Sequence, residues 1–139
     1  MSVLRHTSLG LLLLALAGGC SLLPPLLPTP AEPGLSDDAY PDVLAVELGP
    51  VGDRVFDVVV TMSSPYDTPE RYADGWRVLD PDGEVLGTHT LLHDHAAEQP
   101  FTRTQRGLHI PQGIDAVTVE GRDLANGYGG ATITVDVPA

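Results

Sequence analysis

Short segments in which apolar and polar residues alternate run through this sequence from about residue 42 to its end. The clearest is RVFDVVVTM, in which Phe56, Val58, Val60 and Met62 occupy every second position. Successive side chains of a β-strand point to opposite faces, so this spacing predicts a strand with one buried face. No segment has convincing helical spacing, and the chain is therefore expected to fold from strands.

Turn-forming residues separate the alternating segments about every 8–12 positions. The predicted strands are VLAVEL, RVFDVVVTM, GWRVLD, EVLGTHTLLH, PFTRTQRGLHI, IDAVTVEGRD and ATITVDV. In the first strand, Leu44, Val46 and Leu48 are predicted to share one face, and in the third strand Trp76 and Val78 do so. About seven short strands at this spacing predict an all-β fold, an antiparallel sandwich of two sheets.

The position of Trp76, early in the third predicted strand, resembles that of the buried tryptophan in immunoglobulin and fibronectin type III domains. The resemblance is architectural and covers about residues 42–138. It implies that residues 37–139 form one β-sandwich domain of this kind.

Residues 1–20, MSVLRHTSLGLLLLALAGGC, have the organisation of an export signal: a basic start, a short apolar run and small residues. The apolar run is too short for a permanent membrane span. The ending LAGGC resembles the lipobox of bacterial lipoproteins, with Ala17 at the position where Leu is common and Leu16 one place earlier. The resemblance implies a signal peptide over residues 1–19 and a lipidated Cys20. Ordinary signal-peptidase cleavage after Ala17 is the alternative.

The segment that follows Cys20 is rich in proline. Residues 21–36, SLLPPLLPTPAEPGLS, contain five of the 13 prolines, which favours an extended polyproline form. Residues 20–36 are therefore expected to be a linker between a membrane anchor and the domain. By resemblance to Gram-negative lipoproteins, Ser21 implies an outer-membrane location facing the periplasm. Cys20 is the only cysteine, so the domain is expected to fold without disulfides.

The chain is strongly acidic, with 19 Asp and Glu against 7 Lys and Arg and a net charge of −12. Such a surface repels phosphate backbones, which argues against nucleic-acid binding. It favours solubility, the attraction of cations or the binding of a basic partner. Adaptation to high salt, or a high-GC genome, is the alternative explanation of the composition.

A second resemblance spans residues 76–130 and is carried by four strings: Trp76 with its strand, PDGEVLG, LLHDHAAEQPFTR and NGYGG. They resemble an uncharacterised family of small exported bacterial proteins that combine H-x-H, E-Q-P-F-T-R and G-Y-G-G. Asp94 stands between the histidines where the family has Pro, and Asn126 precedes G-Y-G-G where His is common. The resemblance implies no particular activity.

The stretch THTLLHDHAAEQP holds three of the five histidines. In an extended strand, His93 and His95 share a face and can bind one metal ion, whereas Asp94 points away. His89 has the right parity but lies about 13 Å along the strand. Glu98 in the loop beyond is the predicted third ligand, and a set of two histidines and one carboxylate suits Zn, Cu or Ni. The alternative is a strand end with solvated or backbone-bonded histidines.

The string EQPFTR has a structural interpretation. Phe101 is predicted to anchor the core, and Glu98 or Gln99 to satisfy loop amides. Arg103 shares the face of Phe101 if the strand is regular, and its donors suit a nearby carboxylate or carbonyl.

Three further features have a structural interpretation beside a functional one. DPDGE predicts a type I turn at residues 80–83 rather than a calcium loop. His109, at another strand end, is expected to be structural or at the surface. Asn126 and Tyr128 are candidates for a partner-binding loop, and packing of Tyr128 over the sandwich edge is the alternative.

The sequence contains no G-x-S-x-G, no phosphate-binding glycine loop and no H-E-x-x-H. The cysteine is assigned to the anchor, so no thiol nucleophile remains. The sequence therefore predicts a non-catalytic, lipid-anchored protein of the cell envelope, whose sandwich binds another envelope protein or scaffolds an assembly without a cofactor. The alternative is a periplasmic protein that binds Zn or Cu through His93 and His95.

Overall fold

The computed structural model describes residues 40–139, and these residues contain strands and no helix. The strands are β1 Asp42–Gly52, β2 Val55–Ser63, β3 Ala73–Leu79, β4 Val85–Thr90, β5 Phe101–His109, β6 Ala116–Asp123, β7 Gly127–Tyr128 and β8 Ile133–Asp136. The predicted signal peptide, lipidation site and linker lie outside the described residues. None of the residues 40–139 belongs to a helix that could span a membrane.

The strands form two antiparallel sheets. One has the order β1-β2-β5, and the other has the order β4-β3-β6-β7, with β8 also paired to β6. Strands β7 and β8 pair with opposite ends of β6, at Arg122 and at Ala116 respectively. The predicted all-β fold of two antiparallel sheets is confirmed. An eighth strand appears because β7 has only two residues, too few for an alternating pattern to reveal.

The apolar faces of the two sheets enclose one core. Strand β2 supplies the predicted set of alternating residues, each at most 3% exposed: Phe56, Val58, Val60 and Met62. Trp76 and Val78 of β3 are buried as predicted, at 1% and 0%. The remaining buried apolar side chains are Val43, Val46, Ala73, Leu91, Phe101, Leu108, Ile110, Val117 and Val119.

One buried side chain connects the two sheets by hydrogen bonds. Gln105 of β5 accepts a 2.9 Å hydrogen bond from the indole N–H of Trp76 in β3. Its amide nitrogen donates to the backbone oxygen of Thr88 in β4, at 3.2 Å. The indole N–H therefore has a partner inside the core, as buried tryptophans usually require.

The first strand departs from simple alternation. Leu44 is 49% exposed, so the prediction that it shares the buried face with Val46 and Leu48 is wrong. The register with β2 shifts between Val43 and Ala45, which makes Leu44 an extra residue in a bulge. A bulge reverses the facing of the residues before it, and Val43 enters the core instead.

The G-Y-G-G segment packs against the start of the domain. A Cβ at Gly129 would meet the ring of Tyr40, and a Cβ at Gly130 would meet the backbone oxygen of Pro41. The Ala131 amide donates to the Asp42 carboxylate at 2.8 Å. The glycines of this string thus allow the chain to pass close to residues 40–42.

The Gly130 contact gives a test of this packing. Gly130 has φ 84° and Gly127 has φ 83°, but a Cβ at Gly127 meets nothing within 4 Å. Both Gly→Ala variants carry a left-handed strain of about 1–2 kcal/mol. Gly130→Ala also displaces Pro41, and we expect it to lower the free energy of unfolding by a further 1–3 kcal/mol or so. Urea denaturation of the two variants measures the difference, and equal losses would contradict the close packing.

Candidate functional site

The predicted metal ligands lie in the loop between β4 and β5, residues 91–100, rather than on a strand. Strand β4 ends at Thr90, which pairs with Gly75. Because β3 begins at Ala73, only two of its residues lie beyond that pair. The Leu91 amide donates to the Asp74 oxygen at 2.8 Å, and the chain then leaves the sheet. The expectation that His93 and His95 share a strand face is therefore wrong, because the strand stops first.

The loop nevertheless brings the two imidazoles together. The ring centroids of His93 and His95 are 4.7 Å apart, with the planes tilted by 39°. His93 is exposed, whereas His95 is 2% exposed. On its other side the His95 ring stacks on Phe101, with centroids 3.9 Å apart and planes 12° from parallel. His95 thus joins the end of the core, and His93 lies between it and solvent.

Both ring nitrogens of His95 are buried without a hydrogen-bond partner. An unsatisfied buried polar group costs about 1–3 kcal/mol. Burial lowers the pKa of His95 from the ordinary 6.5, and the neighbouring Arg103 and His93 lower it further. The ring is therefore held in its neutral form, in which one nitrogen carries a proton and the other has a free lone pair.

Asp67 is the buried carboxylate that holds this loop against β3. It is 5% exposed and accepts hydrogen bonds from the backbone amides of Ala73 and His95, each 3.0 Å long. Its Oδ2 is also 4.0 Å from Nδ1 of His95, beyond hydrogen-bond distance. Asp67 was missed in the sequence because its partners lie in other elements, and S-P-Y-D predicts only a turn.

The predicted third ligand, Glu98, binds an arginine instead. Its carboxylate accepts a 2.8 Å hydrogen bond from Arg103, which lies five residues further along the chain. This hydrogen bond and the charge of Arg103 lower the pKa of Glu98. Within residues 40–139, no three His, Cys, Asp or Glu side chains are grouped so that they could hold a metal ion. The metal set of His93, His95 and Glu98 stays a prediction, of which the structure assembles the two histidines.

The other two described histidines lie elsewhere. The His89 ring lies against Trp76, with centroids 4.3 Å apart and planes tilted by 30°, and burial lowers the pKa of His89. His109 is exposed at the end of β5, as expected.

The structural interpretation of EQPFTR is confirmed. Phe101 is 3% exposed in the core. The side-chain oxygen of Gln99 accepts the Ser64 amide at 2.7 Å, and its nitrogen donates to the Ser64 hydroxyl and to the His95 oxygen. Arg103 binds the Glu98 carboxylate. The string therefore connects the loop to β5 and to the end of β2.

A second polar cluster lies between the loop before β3 and the end of β6. Asp123 is 0% exposed and accepts the amides of Ala125 and Asn126, at 3.0 and 2.8 Å, and the Arg71 guanidinium at 3.2 Å. Asp74 binds Arg122, yet burial raises its pKa. The roles of these carboxylates were also missed in the sequence, because their arginine partners are distant along the chain, by 52 residues for Asp123 and 48 for Asp74.

Tyr128, from the predicted partner-binding loop, lies on the outer face of the five-stranded sheet. The guanidinium carbons of Arg77 and Arg122 are 4.1 and 5.9 Å from the centre of its ring. Arg77 also binds Glu120 at 2.6 Å. We call Tyr128, Arg77 and Arg122 the tyrosine–arginine stack. The partner-binding role of Asn126 and Tyr128 stays a prediction.

The turn at residues 80–83 forms as predicted. The Gly83 amide donates to the Asp80 oxygen at 3.0 Å, and the Asp80 carboxylate accepts the amides of Asp82 and Glu84, each at 2.9 Å. Asp80 therefore caps the turn.

Comparison with known proteins gives one informative relative. The chain is 38% identical over 95 residues to a protein of Halomicrobium mukohataei named "Putative lipoprotein". The alignment covers 68% of this chain and 46% of the relative, so the chain spans about half the length of the protein it matches. No protein-family model matches the chain, and no solved structure matches it.

Proposed function

We propose that this chain is a lipid-anchored protein of the cell envelope whose β-sandwich is a non-catalytic module for binding or scaffolding. The observation that carries the proposal is the agreement between two independent features. The sequence places a single cysteine, Cys20, directly after a signal-like apolar run. A relative at 38% identity also bears the name of a lipoprotein.

The environment of the buried polar groups supports a non-catalytic role. Asp67 accepts two backbone amides, and Asp123 accepts two amides and an arginine. Carboxylates used in this way hold loops in place, whereas a catalytic acid or base needs access to a substrate proton. Enzyme motifs are also absent from the sequence.

The strand order supports a sandwich of the immunoglobulin or fibronectin type. Three strands, β1-β2-β5, face a sheet that contains β4-β3-β6, and Trp76 is buried on the third strand. Domains of this class often serve as binding modules of surface proteins, although the fold alone does not fix a function.

The tyrosine–arginine stack is the surface we propose for the partner. Tyrosine and arginine are enriched among the residues that carry binding energy at protein interfaces. The Arg122 side chain is 42% exposed, so the stack is accessible from the outer face of the sheet. The net charge of −12 favours a basic partner for the chain as a whole, and the two arginines of the stack are paired with the carboxylates of Glu120 and Asp74.

The anchor is tested at the N-terminus of the protein purified from its native membrane. We expect mass spectrometry to find Cys20 as the first residue with its lipid attached, and Cys20→Ser to move the protein out of the membrane fraction. Ser21→Ala, which keeps the cysteine, is the matched control and should remain membrane-bound. An unlipidated N-terminus at Gly18 would contradict the anchor and support ordinary signal cleavage.

The partner surface is tested by cross-linking in intact cells, with the captured protein identified by mass spectrometry. We expect Tyr128→Ala to reduce recovery of that protein by about tenfold, since truncating a central interface tyrosine costs about 1–2 kcal/mol. Thr134→Ala lies on the same outer face, where Thr134 bonds Thr118 at 2.8 Å, and should leave recovery unchanged. Equal recovery from both variants would exclude the stack as the binding surface.

A further inference from the structure

The loop between β4 and β5 holds two imidazoles side by side, and the hydrogen bonds of the domain do not account for this arrangement. His95 is 2% exposed, and neither of its ring nitrogens has a hydrogen-bond partner. Within residues 40–139, the imidazole that lies beside it is that of His93, whose ring centroid is 4.7 Å away and whose side chain is exposed. The hydrogen bonds of Asp67 and Gln99 to the His95 backbone hold the residue in this position.

We propose that His93 and His95 form a binding site for a late first-row divalent metal ion, with Cu²⁺ preferred over Zn²⁺. Imidazole nitrogen is a good ligand for both ions, and affinities in such sites rise toward Cu²⁺. A bound ion would give the buried His95 ring the partner that it lacks in the protein alone. This inference is independent of the lipid anchor and of the tyrosine–arginine stack.

The Asp67 carboxylate lies near one of the two ring nitrogens of His95. Its carboxylate oxygen is 4.0 Å from Nδ1, and that carboxylate is fixed by the amides of Ala73 and His95. Metal-binding histidines commonly direct their second nitrogen, as N–H, at a carboxylate. At 4.0 Å no hydrogen bond joins Nδ1 to Asp67, but the negative charge of the carboxylate favours a proton on Nδ1, and we infer that Nε2 is the nitrogen that binds the metal.

The Glu98 carboxylate is bound to Arg103 at 2.8 Å and is therefore engaged. The described residues then supply two ligands, fewer than the four of a structural zinc site. We therefore infer an exchangeable site that solvent completes, suited to taking up and releasing an ion rather than to stabilising the fold.

The experiment titrates the purified, processed protein with Cu²⁺ and with Zn²⁺ by calorimetry and records the electron paramagnetic resonance of the Cu²⁺ form. We expect one Cu²⁺ per chain, weaker binding of Zn²⁺, and a signal with nitrogen coupling from two imidazoles. Cu²⁺ should also raise the unfolding temperature, because it binds the folded chain.

Three variants distinguish Cu²⁺ binding at His93 and His95 from non-specific Cu²⁺ binding to the acidic surface of the protein. His93→Ala removes the exposed ligand, and His95→Phe removes both nitrogens while keeping an aromatic ring on Phe101. Each should weaken Cu²⁺ binding at least about tenfold and abolish the two-nitrogen signal. His109→Ala, an exposed histidine on β5, should change neither. The absence of Cu²⁺ uptake, or uptake unchanged in both His93→Ala and His95→Phe, would overturn the proposal.

Discussion

The structure depends on the burial of two apolar sheet faces against each other without any covalent crosslink. Cys20 is the only cysteine and lies outside residues 40–139, so hydrophobic burial and hydrogen bonding carry the stability of the described domain. Every second residue of β2 is buried, and Trp76 lies opposite in β3. Gln105 completes this arrangement, because it satisfies the indole N–H and reaches β4 as well.

Backbone groups in the loops at the ends of the strands have no partner within a sheet, and polar side chains provide their hydrogen bonds. This requirement explains the polar residues of the loop sequences. Asp67 accepts hydrogen bonds from the amides of Ala73 and His95. Gln99 accepts one from the Ser64 amide and donates one to the His95 oxygen. The glycines of G-Y-G-G allow the entering chain at residues 40–42 to lie close to the last strands. Unlike these backbone groups, both ring nitrogens of the buried His95 lack a hydrogen-bond partner, and the proposed metal ion would supply one.

Much of the fold was predictable, since period-two alternation depends on neighbours in sequence. It identified the buried face of β2 and the burial of Trp76 and Val78. It failed at Leu44, where a bulge shifts the register, and at the end of β4, where the partner strand runs out. The site was harder, because Asp67 and the His95 amide are 28 residues apart and Glu98 had a competing partner in Arg103. Of the predicted metal ligands, the structure brings the rings of His93 and His95 together, in a loop rather than on a strand.

Residues 91–100 are a fixed part of the sandwich, held by buried side chains, and not a mobile connection. Amide hydrogen exchange resolved by residue measures this. We expect the His95 amide, bonded to the buried Asp67 carboxylate, to exchange about as slowly as the Val60 amide in the central strand β2. Exchange of the His95 amide at the rate of an exposed loop would contradict it.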